Sequence, residues 1–132
     1  MEPKLDAVIL CDQVYVEPQT KKKTLLGVHD GFMPDSFPAT LDFCVFVRAT
    51  SLRIRTDIGV RLVQVSEDGY GEGVVIGNGT LTMEADPIRP AEGVLNLFGT
   101  RFSEPGEYWI RFYWGNKLID QRIVIKQHKD GV

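Results

Sequence analysis

Cysteine and histidine are scarce in this chain. There are two of each, Cys11, Cys44, His29 and His128, in 132 residues. Neither pair has the short ligand spacing of a structural zinc site, so no metal is expected. Two cysteines also fall short of the disulfide framework that staples small secreted domains. Basic charge is not in excess. Fifteen Lys and Arg stand against eighteen Asp and Glu, a formal net charge of -3. A nucleic-acid binder draws affinity from a basic field that displaces counterions, so no nucleic-acid partner is expected. Long apolar runs are missing too. The stretch Ala7–Cys11 within MEPKLDAVILCDQ is too short for a signal-peptide core and has acids on both sides. No stretch approaches a membrane span. A cytoplasmic location, no membrane partner and two reduced thiols are the matching expectations. The glycine-rich GYGEG lacks the Gly-Lys-Ser/Thr of a phosphate loop, and no Gly-x-Ser-x-Gly elbow is present. No cofactor is expected.

What is present is alternation. In LDFCVFVRA, residues 41–49, Leu41, Phe43, Val45 and Val47 point one way, and Asp42, Cys44, Phe46 and Arg48 the other. The first set is wholly apolar and is expected to face the core. Residues 58–66 are valine-rich and read as a second strand. EDGYGEG, 67–73, reads as a turn. GVVIGNGTLTME is either one strand bent by a bulge at Gly77-Asn78-Gly79 or a hairpin with Asn78-Gly79 at its tip. The sequon Asn78-Gly79-Thr80 is read as turn chemistry. ADPIRPAEG, 85–93, reads as a loop before a short strand, VLNLF. No helical stripe appears. Strand-length segments recur with turn signals between them, the pattern of an all-β sandwich. The residues 127–132 are polar and are expected to fray.

The sharpest local pattern is EPGEYWIRFYWGNKLIDQRIVIK, 104–126. It reads as a hairpin around Gly115-Asn116, with glycine taking the positive φ of a type II′ turn. Counting outward from a two-residue loop pairs Trp114 with Lys117, Phe112 with Ile119, Ile110 with Gln121 and Tyr108 with Ile123 on the core side. The other face pairs Tyr113 with Leu118, Arg111 with Asp120 and Trp109 with Arg122. That face offers a cross-strand ion pair and a cation–π contact. Trp109, Arg111, Tyr113, Leu118, Asp120 and Arg122 therefore form a candidate binding face, because aromatics and arginine are enriched at protein–protein hot spots.

The start of the chain poses a chemical question. Cys11 and Asp12 sit eighteen residues before His29 and Asp30. A thiol nucleophile needs a base, and His29 is the available one. Both cysteines nonetheless lie in apolar strands, where cysteine behaves as a small hydrophobe. The aspartates at 12, 30, 35 and 42 read as turn formers rather than a calcium site. Lys21-Lys22-Lys23 read as an exposed tip that keeps a sheet soluble. The segment is expected to form two strands, about 5–16 and 24–29. His29-Asp30-Gly31 would be the turn that ends the second. Asp12, an acid inside an apolar run, must be paired, capped or exposed at an edge.

Several patches carry a family resemblance. They are Cys11-Asp12-Gln13-Val14, Leu25-Leu26-Gly27-Val28, Phe37-Pro38, the strand at 41–49 and Glu104-Pro105-Gly106-Glu107-Tyr108. In this order they resemble an uncharacterised bacterial family of small cytoplasmic proteins, catalogued as a domain of unknown function. The resemblance implies a single β-sandwich and supplies no catalytic residue, cofactor or substrate. The final hairpin also resembles that of immunoglobulin-like sandwiches.

The expected fold is a single antiparallel β-sandwich of seven to eight strands over residues 1–132, with Ig-like or Greek-key connections. The expected function is a non-enzymatic protein-interaction module. The alternatives are a carbohydrate- or small-ligand-binding sandwich and a cysteine- or metal-dependent enzyme around Cys11, Asp12 and His29. A protein partner is expected, and an exposed sheet edge could also pair two copies into a homodimer.

Overall fold

The computed structural model describes residues 2–50, 52–65, 72–86 and 88–126. Nine strands occupy them: β1 (Leu5–Cys11), β2 (Gln13–Val16), β3 (Lys23–Leu26), β4 (Ala39–Ala49), β5 (Thr56–Val65), β6 (Glu72–Met83), β7 (Ala91–Phe102), β8 (Tyr108–Trp114) and β9 (Lys117–Ile125). No helix among the described residues is long and apolar enough to cross a membrane. All strand pairings are antiparallel. One sheet has the order β1-β4-β7, a second β6-β5-β8-β9, and β2 pairs with β3 alone.

The two larger sheets enclose the core. Phe43, Val45 and Val47 of β4 pack with Ile58 and Val60 of β5 and Ile110 and Phe112 of β8, all buried. These are the alternating positions that the period of two assigns to the inside. The expected tail at 127–132 lies outside the described residues, as does most of the expected turn at 67–73.

Nine strands rather than seven or eight follow from the N-terminal segment. It does not run as one strand over 5–16. It breaks at Asp12, whose backbone N–H donates to Leu26 O at 2.9 Å. β1 stays in the three-stranded sheet while β2 turns off with β3. Three further expectations are corrected. The second strand of the segment ends at Leu26, before His29. Asn78-Gly79 is not a turn. It lies inside the long strand β6, with Asn78 opposite Arg61, so the single bent strand is the reading that holds, with its bulge at Ile76 rather than at 77–79. β5 offers partners from Thr56 to Leu62, so β6 runs through its glycines rather than folding back. The strand after the 85–90 loop is longer than expected because 91–93 pair with β4. Gly93 there lies on Leu81, and a Cβ would come within 2.8 Å of Leu81 Cδ1. That close approach seals β6 to β7 at one end of the sandwich.

The β2–β3 hairpin covers the outer face of the β1-β4-β7 sheet. Cys44 and Phe46 alternate with core residues along β4, yet both are buried. The Cys44 thiol donates to Asn96 Oδ1 at 3.2 Å, and Asp12 O lies 3.7 Å from its sulfur. Lys23 of the hairpin reaches Glu92 of β7 at 2.7 Å. Both faces of β4 are thus buried at its middle, which explains the apolar Cys44 and Phe46 on the nominally outward side.

Candidate interaction face

The turn that carries the C-terminal hairpin forms as expected, with Gly115 at φ 59° and Asn116 outside the positive-φ region. The register changes beyond it. Tyr113 faces Leu118, but Phe112 faces Asp120, leaving Ile119 as the extra residue of a bulge. Arg111 therefore faces Gln121, not Asp120, and Trp109 faces Ile123, not Arg122. The expected Arg111–Asp120 and Trp109–Arg122 pairs do not form. A one-residue slip exchanges the faces of a strand. Asp120 and Arg122 consequently lie opposite the inward Phe112 and Ile110, at the rim of the sheet. There Arg122 Nη1 donates to Asp120 Oδ1.

Trp109, Arg111, Tyr113 and Leu118 remain together on the outer face. Long-range pairing adds residues from β5 and β6, and three rows cross the sheet. The first holds Thr80, Gly59, Tyr113 and Leu118. The second holds Asn78, Arg61, Arg111 and Gln121. The third holds Val75, Val63, Trp109 and Ile123. Arg61 lies over the Tyr113 ring, its guanidinium carbon 4.8 Å from the centroid. This is a cation–π contact between a different arginine and a different ring from the expected Arg122 and Trp109. Arg111 Nε donates to Gln121 Oε1 at 3.2 Å, and Trp109 Nε1 donates to Glu107 Oε1 at 2.5 Å. Trp109, Arg111 and Tyr113 are half-buried, while Val75 and Leu118 are each 41% exposed. Arg61 and Val75 were invisible to local reading, because only the pairing of β5 and β6 with β8 brings them in.

The Cys11, Asp12 and His29 cluster takes a different form from a nucleophile and its base. Cys11 is fully buried and lies directly opposite Cys44. Burial pushes the Cys11 thiol up, and Cys44 and Asp12 add to this. Burial likewise raises Cys44. Activation of a thiol requires the opposite shift. His29 is turned to its own loop. Its Nδ1 accepts the Gly31 N–H at 3.2 Å, and its ring packs on Phe32 at 4.5 Å. Its Nε2 is buried without a hydrogen-bond partner, 4.0 Å from Asp12 Oδ1. Among the described residues no group of three metal-ligating side chains converges.

Asp12 itself is exposed at the sheet edge, and its carboxylate occupies the space beside Gly27. A Cβ on Gly27 would lie 2.0 Å from Asp12 Oδ2, and Gly27 has a φ of +69°. Gly27→Ala should therefore destabilise the fold by about 1–2 kcal/mol through the left-handed backbone alone. Urea denaturation checks this. An unchanged midpoint would show that the 26–28 turn is not held as described.

Two other surface features border the sandwich. Away from the Gly93 seal, β6 and β7 diverge around an apolar cleft of about 260 Å³, floored by Leu62, Leu95, Leu97 and Ile110. Val74 and Phe98, on these same strands, are 61% and 58% exposed. On the opposite side, a cleft between β1 and β9 is lined by His29, Asp30 and Arg122.

No curated protein and no solved structure matches the chain. A family model matches residues 6–125, nearly the whole sandwich, and by that match the chain belongs to a family of unknown function, DUF6941.

Proposed function

We propose that this sandwich is a non-enzymatic protein-interaction module that docks a partner protein on the outer face of its four-stranded sheet. The observation that carries the reading is the set of three rows. They place an aromatic, two arginines and a second aromatic side by side, with partly exposed Val75 and Leu118 at the flanks. Large amphipathic side chains that are already held in place lose little entropy on binding, which is why such clusters dominate interface energetics. The strand order also fits a known binding architecture. With the β2–β3 hairpin set aside as an insertion, β1-β4-β7 and β6-β5-β8-β9 follow the order of an immunoglobulin-like sandwich. Tyr108, at the start of β8, donates its hydroxyl to Glu104 O at 2.7 Å, as the tyrosine corner of such domains does.

The test is affinity capture from native lysate with wild type and a Trp109→Ala, Arg111→Ala double variant. The double variant should lose the proteins that wild type retains. An identical set from both would remove this face from consideration.

A second reading is favoured by the cleft between β6 and β7. Its apolar floor suits a small hydrophobic ligand rather than a sugar. β6 is also an edge strand, paired only with β5, so a second copy could add along it. Thiol or metal chemistry around Cys11 has no comparable support.

A further inference from the structure

The lysine-bearing tip borders a cleft. The β2–β3 hairpin and the 89–92 segment form two walls of this cleft, of about 580 Å³, on the outer side of the β1-β4-β7 sheet. Leu25, Phe46 and Pro90 give it an apolar floor. Lys21, Lys22, Lys23, Arg48 and Arg89 line it, with Glu92 as the one acid. Five cations stand against Glu92 and the two wall carboxylates, Glu17 and Asp86, which leaves a local charge of +2 in a chain whose net charge is -3. Glu92 is already shared by Lys23 at 2.7 Å and Arg48 at 3.3 Å. Lys21 and Lys22 therefore add positive charge to the cleft, and Arg89 adds more, offset in part by the Asp86 carboxylate beside it.

The walls are set in advance. On one side Glu17 Oε2 accepts the backbone N–H groups of Gln19 and Thr20 and the Thr20 hydroxyl, and Lys21 N–H donates to Glu17 O. The Thr20 bonds hold the Glu17 carboxyl below its ordinary range. Lys21 is fixed at φ 61°, a left-handed conformation that glycine would occupy more readily. On the other side Asp86 Oδ1 accepts the N–H groups of Ile88 and Arg89 at 2.8 and 3.0 Å. A ligand entering between them need order side chains only, because both backbones are already held.

We propose that this cleft binds a small organic phosphate carrying at least two negative charges. Lys21, Lys22 and Arg89 would meet its oxygens, and Phe46 and Pro90 would lie beneath its apolar part. Multiple charge is required because Glu92 repels an anion and already occupies two of the cations. Phosphate suits the mixture of a planar arginine fork and point-charge lysines. The site is on the sheet opposite the proposed protein-binding face, so the two readings stand or fall separately.

Calorimetric titration with pyrophosphate, a nucleoside triphosphate and inorganic phosphate tests this. Pyrophosphate and the triphosphate should bind at low salt and weaken as salt rises. The triphosphate should bind more tightly than pyrophosphate, through the apolar floor. Inorganic phosphate should bind at least roughly tenfold more weakly than either, since fewer cations are engaged. Lys21→Gly removes a cation while relieving the left-handed backbone, so its urea midpoint should hold or rise. Combined with Arg89→Ala it should weaken both polyanions by roughly tenfold or more. Glu92→Gln should tighten them. Absence of binding by both polyanions at about 1 mM, or equal binding by wild type and the folded double variant, would overturn the proposal. So would preference for nucleic acid over the small polyanions at equal phosphate concentration.

Discussion

Replacing Phe112 with alanine should cost the fold about 3–5 kcal/mol, whereas replacing the adjacent Tyr113 should cost about 1 kcal/mol. The two residues are consecutive on β8, and the pleat sends them to opposite sides. Phe112 is fully buried between the sheets, with Ile58 and Val60 in the same core. Its loss leaves a cavity that rigid strands on both sides cannot collapse. Tyr113 lies on the outer face under Arg61 and opposite Gly59, with no side chain beside it from that position. Its loss removes part of a half-buried surface, including the cation–π contact with Arg61. Urea denaturation of the two variants measures the contrast. Equal losses would mean that the outer face is part of the structural core, and its reading as a binding surface would fail with it.

The second large effect concerns the thiols. In the native protein at neutral pH, Ellman's reagent should react with Cys11 and Cys44 at least about 100-fold more slowly than in the unfolded chain. Cys11 is 0% exposed and Cys44 1%, and the β2–β3 hairpin lies over them. Glu92→Ala removes the acceptor that fastens Lys23 and Arg48, so it should speed the reaction by loosening the hairpin. Rapid labelling of the wild-type thiols would show that the hairpin does not cover them. The same burial makes stability depend on pH. Both thiols and the Tyr108 hydroxyl are raised by desolvation. Their folded-state pKa values exceed the unfolded ones, so the unfolded chain loses these protons first. The stabilisation is complete below the ordinary thiol range of about 8.5 and is lost as pH climbs toward the raised values. The urea midpoint should therefore fall between neutral pH and about pH 10.

The sequence made the sandwich legible because period two dominates it. The alternation of Phe43, Val45 and Val47 with Cys44 and Phe46 assigned the core face of β4 correctly. The same pattern could not show that Cys44 and Phe46 are also covered, because the cover is a separate hairpin reached through the break at Asp12. Gly115-Asn116 located the final turn, and Tyr113 opposite Leu118 followed from it. The bulge at Ile119 carries no turn residue and left no local signal. It moved Asp120 and Arg122 off the expected face and replaced their partners. Arg61 and Val75 joined the face only through β5 and β6, strands distant in sequence. Local chemistry thus gave the strand and the turn, while register and cross-sheet neighbours came from packing.

The most direct test of the interaction face is hydroxyl-radical footprinting of the chain with and without the protein captured from lysate. Trp109, Tyr113 and Leu118 should lose labelling when the partner is present, while the exposed Val74 and Ile76 of β6 and Phe98 of β7 keep theirs. Loss of labelling at Val74, Ile76 and Phe98, with Trp109 and Tyr113 unchanged, would contradict the proposal and move the binding surface to the open side of the sandwich.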